Sequence, residues 1–168
     1  MCYVRILVVL KPAILYKDEI DRLFAENLYT ERFFYYTGYA GCNELPNIKA
    51  QDDYFQFAEV HEGTVTGYFA YHIDAVNDTV DRFGLFSFTS NNISLIKDVF
   101  VSLEHFVKNH RRVEWRVIGG NPVVSNYDSF CKQHGGNKVT LHAVTKDLNG
   151  NWRDEHIYEI INKERMFK

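Results

Sequence analysis

The sequence has little surplus charge of either sign. Nineteen Lys and Arg against 22 Asp and Glu leave a net charge of −3. The two signs are interspersed, and no basic stripe is present to follow a phosphate backbone, so nucleic acid is not expected as a partner. Cysteine is scarce. Cys2, Cys42 and Cys131 are an odd number without close spacing, which argues against a disulfide framework and for a reducing compartment, with the cytoplasm as the default. Long hydrophobic runs are missing too. The apolar start at 6–10 ends at Lys11-Pro12 without a small-residue cleavage site, so neither a membrane span nor a signal peptide is expected. The seven histidines occur singly, outside any His-x-x-x-His or Cys-x-x-Cys spacing, and no metal site is patterned. Gly119-Gly120 lacks the Gly-x-Gly-x-x-Gly order of a dinucleotide loop. Without an internal repeat, low-complexity tract or linker, residues 1–168 read as one domain.

What is present is an ordinary globular balance, 46% hydrophobic and 24% charged, in a chain long enough to bury a core without staples. Aromatic residues reach 15%, nearly all Tyr and Phe, which suits a strand-rich core or an aromatic-lined groove. Residues 4–10 form a continuous branched-apolar run that predicts a buried strand. Ile20, Leu23, Phe24 and Leu28 then recur at helical spacing among charged residues. The run Glu31-Arg32-Phe33-Phe34-Tyr35-Tyr36 predicts a second short helix, closed by Gly38 and Gly41. Two strands are expected between 54 and 74, turning at Glu62-Gly63 where glycine supplies positive φ. Another strand follows at 82–89.

Ile96, Val99, Phe100, Leu103, Phe106 and Val107 predict a helix over 92–110, with Ser90, Asn91, Asn92 and Ser94 all able to cap it. A strand at 113–118, a turn at Gly119-Gly120-Asn121-Pro122 and a helix at 123–134 stopped by Gly135-Gly136 come next. Strands at 138–146 and 156–162 flank a polar loop. The order is βαα-ββ-βα-βα-ββ. The Lys108 to Arg112 cluster fits a helix C-terminus better than an anion site.

This order, best matched from Tyr54 onward, resembles the GNAT superfamily of N-acyltransferases. The hairpin Glu62-Gly63-Thr64-Val65-Thr66-Gly67-Tyr68-Phe69 looks like the family's second and third strands. The segment from Val113 to Pro122, followed by Tyr127-Asp128-Ser129-Phe130-Cys131-Lys132-Gln133-His134-Gly135-Gly136, resembles its fifth strand, Asn-containing turn and Tyr-x-x-x-Gly-Phe helix. The resemblance implies an α/β (α+β) fold with a mixed, mostly antiparallel sheet and helices on both faces. It implies an acetyl-CoA-dependent N-acetyltransferase acting on a primary amine of a small molecule or peptide, and it allows a homodimer. In that family acyl-CoA lies where strands four and five splay, with its pyrophosphate at the next helix N-terminus. Carried onto this chain, the cofactor-binding residues are Phe88, Thr89, Ser90, Asn91, Asn92, Ile93, Ser94, Asn121 and Phe130.

Two departures accompany the match. The segment Thr89-Ser90-Asn91-Asn92-Ile93-Ser94 has none of the glycines of the family's pyrophosphate loop, although Asn tolerates left-handed geometry better than other residues with a Cβ. Cys131 stands where the family's proton-donating Tyr is expected, with Tyr127 one helical turn earlier on about the same face. Tyr127 is therefore the candidate general acid, against the alternative of a packed core tyrosine. Cys131 reads as a small buried hydrophobe. His72, Asp74 and Glu114 are candidate bases or solvated strand residues, and residues 33–39 an acceptor wall or core packing. A second reading is a GNAT-like fold kept as a ligand-binding or protein-interaction module with little turnover.

Overall fold

The computed structural model describes residues 10–36 and 45–166. Most of the strand expected at 4–10 lies outside the described residues, as do Cys2, Gly38, Gly41, Cys42 and residues 37–39 of the expected acceptor wall. The strands are β1 (Leu10–Pro12), β2 (Tyr54–His61), β3 (Thr64–Asp74), β4 (Thr79–Ser87), β5 (Arg112–Ile118), β6 (Asn137–Lys146) and β7 (Trp152–Ile161). The helices are α1 (Lys17–Asn27), α2 (Glu31–Phe34), α3 (Ile93–Asn109) and α4 (Val124–Gln133), with 3₁₀ turns at Ala13–Tyr16 and Lys163–Arg165.

One seven-stranded sheet runs in the order β1-β2-β3-β4-β5-β7-β6. Every neighbouring pair is antiparallel except β4 with β5, which is parallel. The predicted βαα-ββ-βα-βα-ββ order and the mixed, mostly antiparallel sheet are both present.

Alternation along the strands divides the core into two layers. On β3, Tyr68 and Ala70 face α1 and α2, where Ile20, Phe24, Phe33 and Tyr36 complete an aromatic cluster with Phe86. Phe69 points the other way, to α3 and α4, where Leu95, Val99, Leu103, Phe106, Tyr127 and Phe130 meet Trp115, Tyr158 and Ile160. Helices thus cover both faces. Helix α3 buries Leu95 instead of the expected Ile96, and its buried stripe also carries Asp98 and Ser102.

Two boundaries differ from the sequence expectation. Strand β4 starts at Thr79, not 82, because Thr79 and Val80 pair with both neighbouring strands while Arg82 sits in a bulge with φ +54°. Strand β7 starts at Trp152, four residues before the expected 156. The polar stretch there pairs with the end of β6, and the connecting loop is fixed by Asp147, which accepts from Asn149 N, Asn151 N and Arg153 Nε.

The end of α4 explains a missing aromatic residue. A Cβ on Gly136 would come within 2.6 Å of the Glu159 carbonyl and of Ile160 Cγ1, and within 2.7 Å of Cys131 Sγ. The neighbouring Gly135 has φ +64° and open space around it. Backbone cannot yield as a flexible side chain can, so Gly136→Ala is expected to cost about 1–3 kcal/mol by overpacking. Gly135→Asn, in a left-handed position that Asn tolerates, should cost well under about 1 kcal/mol. Urea unfolding of both variants checks this, and equal losses would show that Gly136 is not sterically constrained.

Candidate functional site

The chemistry of the sheet concentrates where β4 and β5 part. They share register at Thr79↔Arg112 and Val80↔Val113 and, among the described residues, nowhere beyond. The cause is the bulge. Pairing of β4 with β3 steps from His72↔Asp81 to Ala70↔Gly84, so Arg82 and Phe83 stand opposite the single Tyr71. An inserted residue bends the strand and increases its twist, carrying the remainder of β4 away from β5. Phe88 N–H donates to Thr66 O at 2.9 Å. By antiparallel alternation, the backbone groups of Leu85 and Ser87 then face the opening.

Helix α2 spans the mouth of this opening. At one side the Arg32 guanidinium donates to Phe88 O at 2.9 Å and to Ser90 Oγ at 3.2 Å. At the other, the Tyr35 hydroxyl lies 3.2 Å from the Cβ position of Gly120 in the turn after β5, where φ is +95°. Thr30 caps this short helix by accepting from Phe33 N at 3.2 Å. Nearby, Lys17, Asp21 and Phe24 of α1 and the segment 45–48 enclose a cleft of about 350 Å³.

Beside the opening, the start of α3 is organised around a buried carboxylate. Glu59 of β2 is fully buried. Its Oε1 accepts from Ser94 Oγ at 2.5 Å and lies 3.2 Å from His61 Nε2. Its Oε2 accepts from Thr66 Oγ1 at 2.9 Å and from the Asn92 side-chain amide. The carboxylate reaches α3 across β3 because residue 67 is glycine: a Cβ there would stand 3.0 Å from Glu59 Oε2 and 2.6 Å from Leu95 Cδ2. Four polar groups around one buried charge supply the compensation that burial demands. Asn92 also caps the helix, its Oδ1 accepting from Leu95 N at 3.1 Å. Ile93 N donates to Asn91 O at 2.8 Å.

The residues inferred from the sequence fall into two groups. Phe88, Thr89, Ser90, Asn91, Asn92, Ile93 and Ser94 lie together between the end of β4 and the first turn of α3. Asn91 takes the left-handed conformation, φ +54°. Ile93 is 62% exposed, and Phe88 packs on Phe24 and Phe86. The second group is in the core. Tyr127 is 7% exposed, its ring against Phe100, Trp115 and Tyr158, and burial pushes its phenol well above the ordinary range. Phe130 packs on Phe100 and Trp115. Asn121 accepts from Val123 N at 3.1 Å and so shapes its own turn. Among the described residues, no hydrogen bond or ring contact joins this group to residues 88–94. Cys131 is buried, with its thiol pushed up by burial.

The three candidate bases are dispersed. His72 bridges Asp81 at 2.7 Å and Asp53 at 3.3 Å, Asp74 closes the turn after β3, and Glu114 pairs with Arg112 on the opposite sheet face from Trp115. Among the described residues, no cluster of three or more His, Cys, Asp or Glu is arranged to hold a metal ion.

Glu59 and Arg32 were not read from the sequence as site residues, whereas Tyr35 falls in the segment 33–39 expected as an acceptor wall or core packing. Glu59 had one detectable signal: it shares a strand face with Phe55 and Phe57, and a charge in phase with apolar residues must find partners.

No protein-family model and no curated protein matches the chain. Solved structures do. A probable GNAT-family acetyltransferase from Chromobacterium violaceum superposes with a TM-score of 0.59 over 90% of this chain and 85% of its own, at 17% identity. The ribosomal-protein-S18-alanine N-acetyltransferase of Escherichia coli gives a TM-score of 0.51 over 71% and 77%, at 10% identity. The chain has the GNAT fold. At such identities the GNAT likeness is one of architecture, and the chemistry rests on the chain's own residues.

Asp98 offers a test of the buried charge. It lies one turn into α3, 6% exposed, and its Oδ2 has no hydrogen-bonding partner among the described residues. Desolvation, with the Glu59 charge second, raises its carboxyl to about 6. A carboxyl raised above its unfolded value favours the folded state when protonated, so this contribution is present at low pH and is lost as pH rises from about 4 to 6. Asp98→Asn should therefore gain stability over the native chain, on the order of 1–3 kcal/mol at pH 7, with the gain vanishing near pH 4. Urea unfolding at several pH values measures the difference, and a gain independent of pH would rule out this origin.

Proposed function

We propose that the chain is an N-acyltransferase that moves an acetyl group from acetyl-CoA to a primary amine of a small molecule or peptide. The observation that carries this reading is the parting of β4 from β5, with the Leu85 and Ser87 backbone turned toward the gap. Backbone groups of β4 that have no strand partner there, the Ser87 carbonyl accepting only a long 3.4 Å contact from Arg32, are suited to the amides of an extended pantetheine arm, which can add to an open strand edge as a peptide does. In the transfer, the acyl carbon passes from sulfur to nitrogen while the amine loses one proton and the sulfur gains one. Holding the two reactants together supplies much of the rate in such a reaction. The cleft between α1 and segment 45–48 is the candidate place for the acceptor, and an ammonium entering it would have to compete with Lys17 for the Asp21 carboxylate, since the two are ion-paired on its wall.

For Tyr127 the reading is a proton donor to the departing sulfur. Its hydroxyl is the proton carrier one helical turn from Cys131, while burial pushes its phenol up and so makes it a weaker acid. The same burial favours a second reading, a GNAT-like ligand-binding or protein-interaction module with little turnover, in which Tyr127 is core and the Asn92 and Ser94 side chains at the start of α3 are engaged by Glu59 of β2. No helix among the described residues is long and apolar enough to cross a membrane.

Acetyl-CoA at about a hundredfold excess over its Kd should raise the melting temperature by about 5 °C or more. Release of free thiol in the presence of a panel of amines then separates the two readings: binding without release identifies the module, and absence of a thermal shift at millimolar acetyl-CoA removes the enzyme. Tyr127→Phe should slow transfer by at least about tenfold with little change in acetyl-CoA affinity. An unchanged rate would take Tyr127 out of the mechanism.

A further inference from the structure

The start of α3 poses a specific difficulty for a nucleotide diphosphate. A helix N-terminus attracts an anion through unpaired N–H groups and the positive end of its dipole. Here much of both attractions is already met from within the chain. Leu95 N–H is taken by the Asn92 side chain and Ile93 N–H by Asn91 O. The dipole end faces Glu59, fully buried, whose carboxylate is held by Ser94, Asn92 and Thr66.

Three observations make this carboxylate a built feature and not a chance contact. Residue 67 is glycine, and a Cβ there would collide with Leu95 and press on Glu59 Oε2. The Asn92 amide is fixed twice, to Glu59 and to Thr66 O at 3.2 Å. Ser94, whose hydroxyl would otherwise point to a ligand, donates to Glu59 and lies 3.0 Å from His61 Nε2. A diphosphate brought to residues 90–94 would meet a negative charge just beneath the loop, screened by little water. It would also find no glycine along which to approach the backbone. The slot is on the other edge of β4: the Leu85 and Ser87 backbone groups turn away from β3, and so from β2, which carries Glu59.

The slot therefore fits a pantetheine arm, and the α3 N-terminus does not fit the diphosphate. We propose that the chain recognises its acyl donor by the acyl-pantetheine portion alone, with Glu59 excluding the nucleotide end from the helix start. The donor class is then an acyl thioester of pantetheine, of which acetyl-CoA is one member with no advantage from its nucleotide. This rests on the acyltransfer reading above.

Isothermal titration of the native chain with acetyl-pantetheine, acetyl-CoA and 3′-phospho-ADP tests it. The two thioesters should bind with Kd values within about threefold of each other, and 3′-phospho-ADP alone should not compete. Acetyl-CoA binding about thirtyfold or more tighter than acetyl-pantetheine would overturn the inference while leaving the acyltransfer reading in place. Failure of both thioesters to bind would remove both. In Glu59→Gln, which keeps the shape of the side chain and removes its charge, acetyl-CoA should gain at least about tenfold over acetyl-pantetheine. An unchanged ratio in the folded variant would show that Glu59 is not the excluding group. If that variant does not fold, the comparison in the native chain still decides.

Discussion

The parallel contact between β4 and β5 sets the geometry on which the rest depends. Two residue pairs hold the halves of the sheet together at one end. A single inserted residue at Arg82 turns β4 away before a third pair can form. Everything resembling a site follows from that divergence: an open strand edge at Leu85 and Ser87, a helix laid across the mouth, and the start of α3 brought beside the gap. A regular β4 would continue the ladder and leave only packed sheet. The bulge is thus the local feature from which a binding slot arises in an otherwise ordinary layered core.

The second organising element is electrostatic. A fully buried carboxylate is costly unless several donors converge on it, and Glu59 has gathered the side chains of Thr66, Asn92 and Ser94 for that purpose. Asn92 and Ser94 at the start of α3 therefore serve an internal charge, while Ser90 serves Arg32. The nearby Asp98 shows the cost, since its own ionisation is disfavoured by burial and by its neighbour. One acid on α3 and another on β2 beside its first turn make the region rich in charge and poor in freedom.

Much of the fold was legible because its elements carry clean periodicities. The alternation around Glu62-Gly63, the stripe of α3 and the stop at Gly135-Gly136 all match the observed elements closely. Boundaries were lost where polar residues form strand by pairing alone, as in Trp152 to Glu155, or where a bulge interrupts the alternation, as at Arg82. The site was less legible. Residues 88–94 do lie together, but the groups that organise them come from β2 and α2, some thirty to sixty positions earlier, and no local spacing announces such a meeting. Tyr127 illustrates the opposite limit. Helical spacing placed it on the face of Cys131, and both are buried, yet spacing cannot say that this face is packed against Trp115 and Tyr158.

The support of β5 has a consequence for how the slot comes into being. On the side of β4 this strand has two register pairs, whereas on the side of β7 it is paired along its whole length, from Arg112↔Ile161 to Ile118↔Glu155. One wall of the opening is therefore held in place chiefly by the last strand of the chain. During synthesis the β2-β3-β4 meander can close early through local turns, but β5 has no firm partner until residues 152–161 have emerged. The slot is accordingly a late product of folding, formed by contacts of long sequence separation, which are the slowest to assemble. Any loss of the C-terminal hairpin would leave a chain with half a sheet and no second wall.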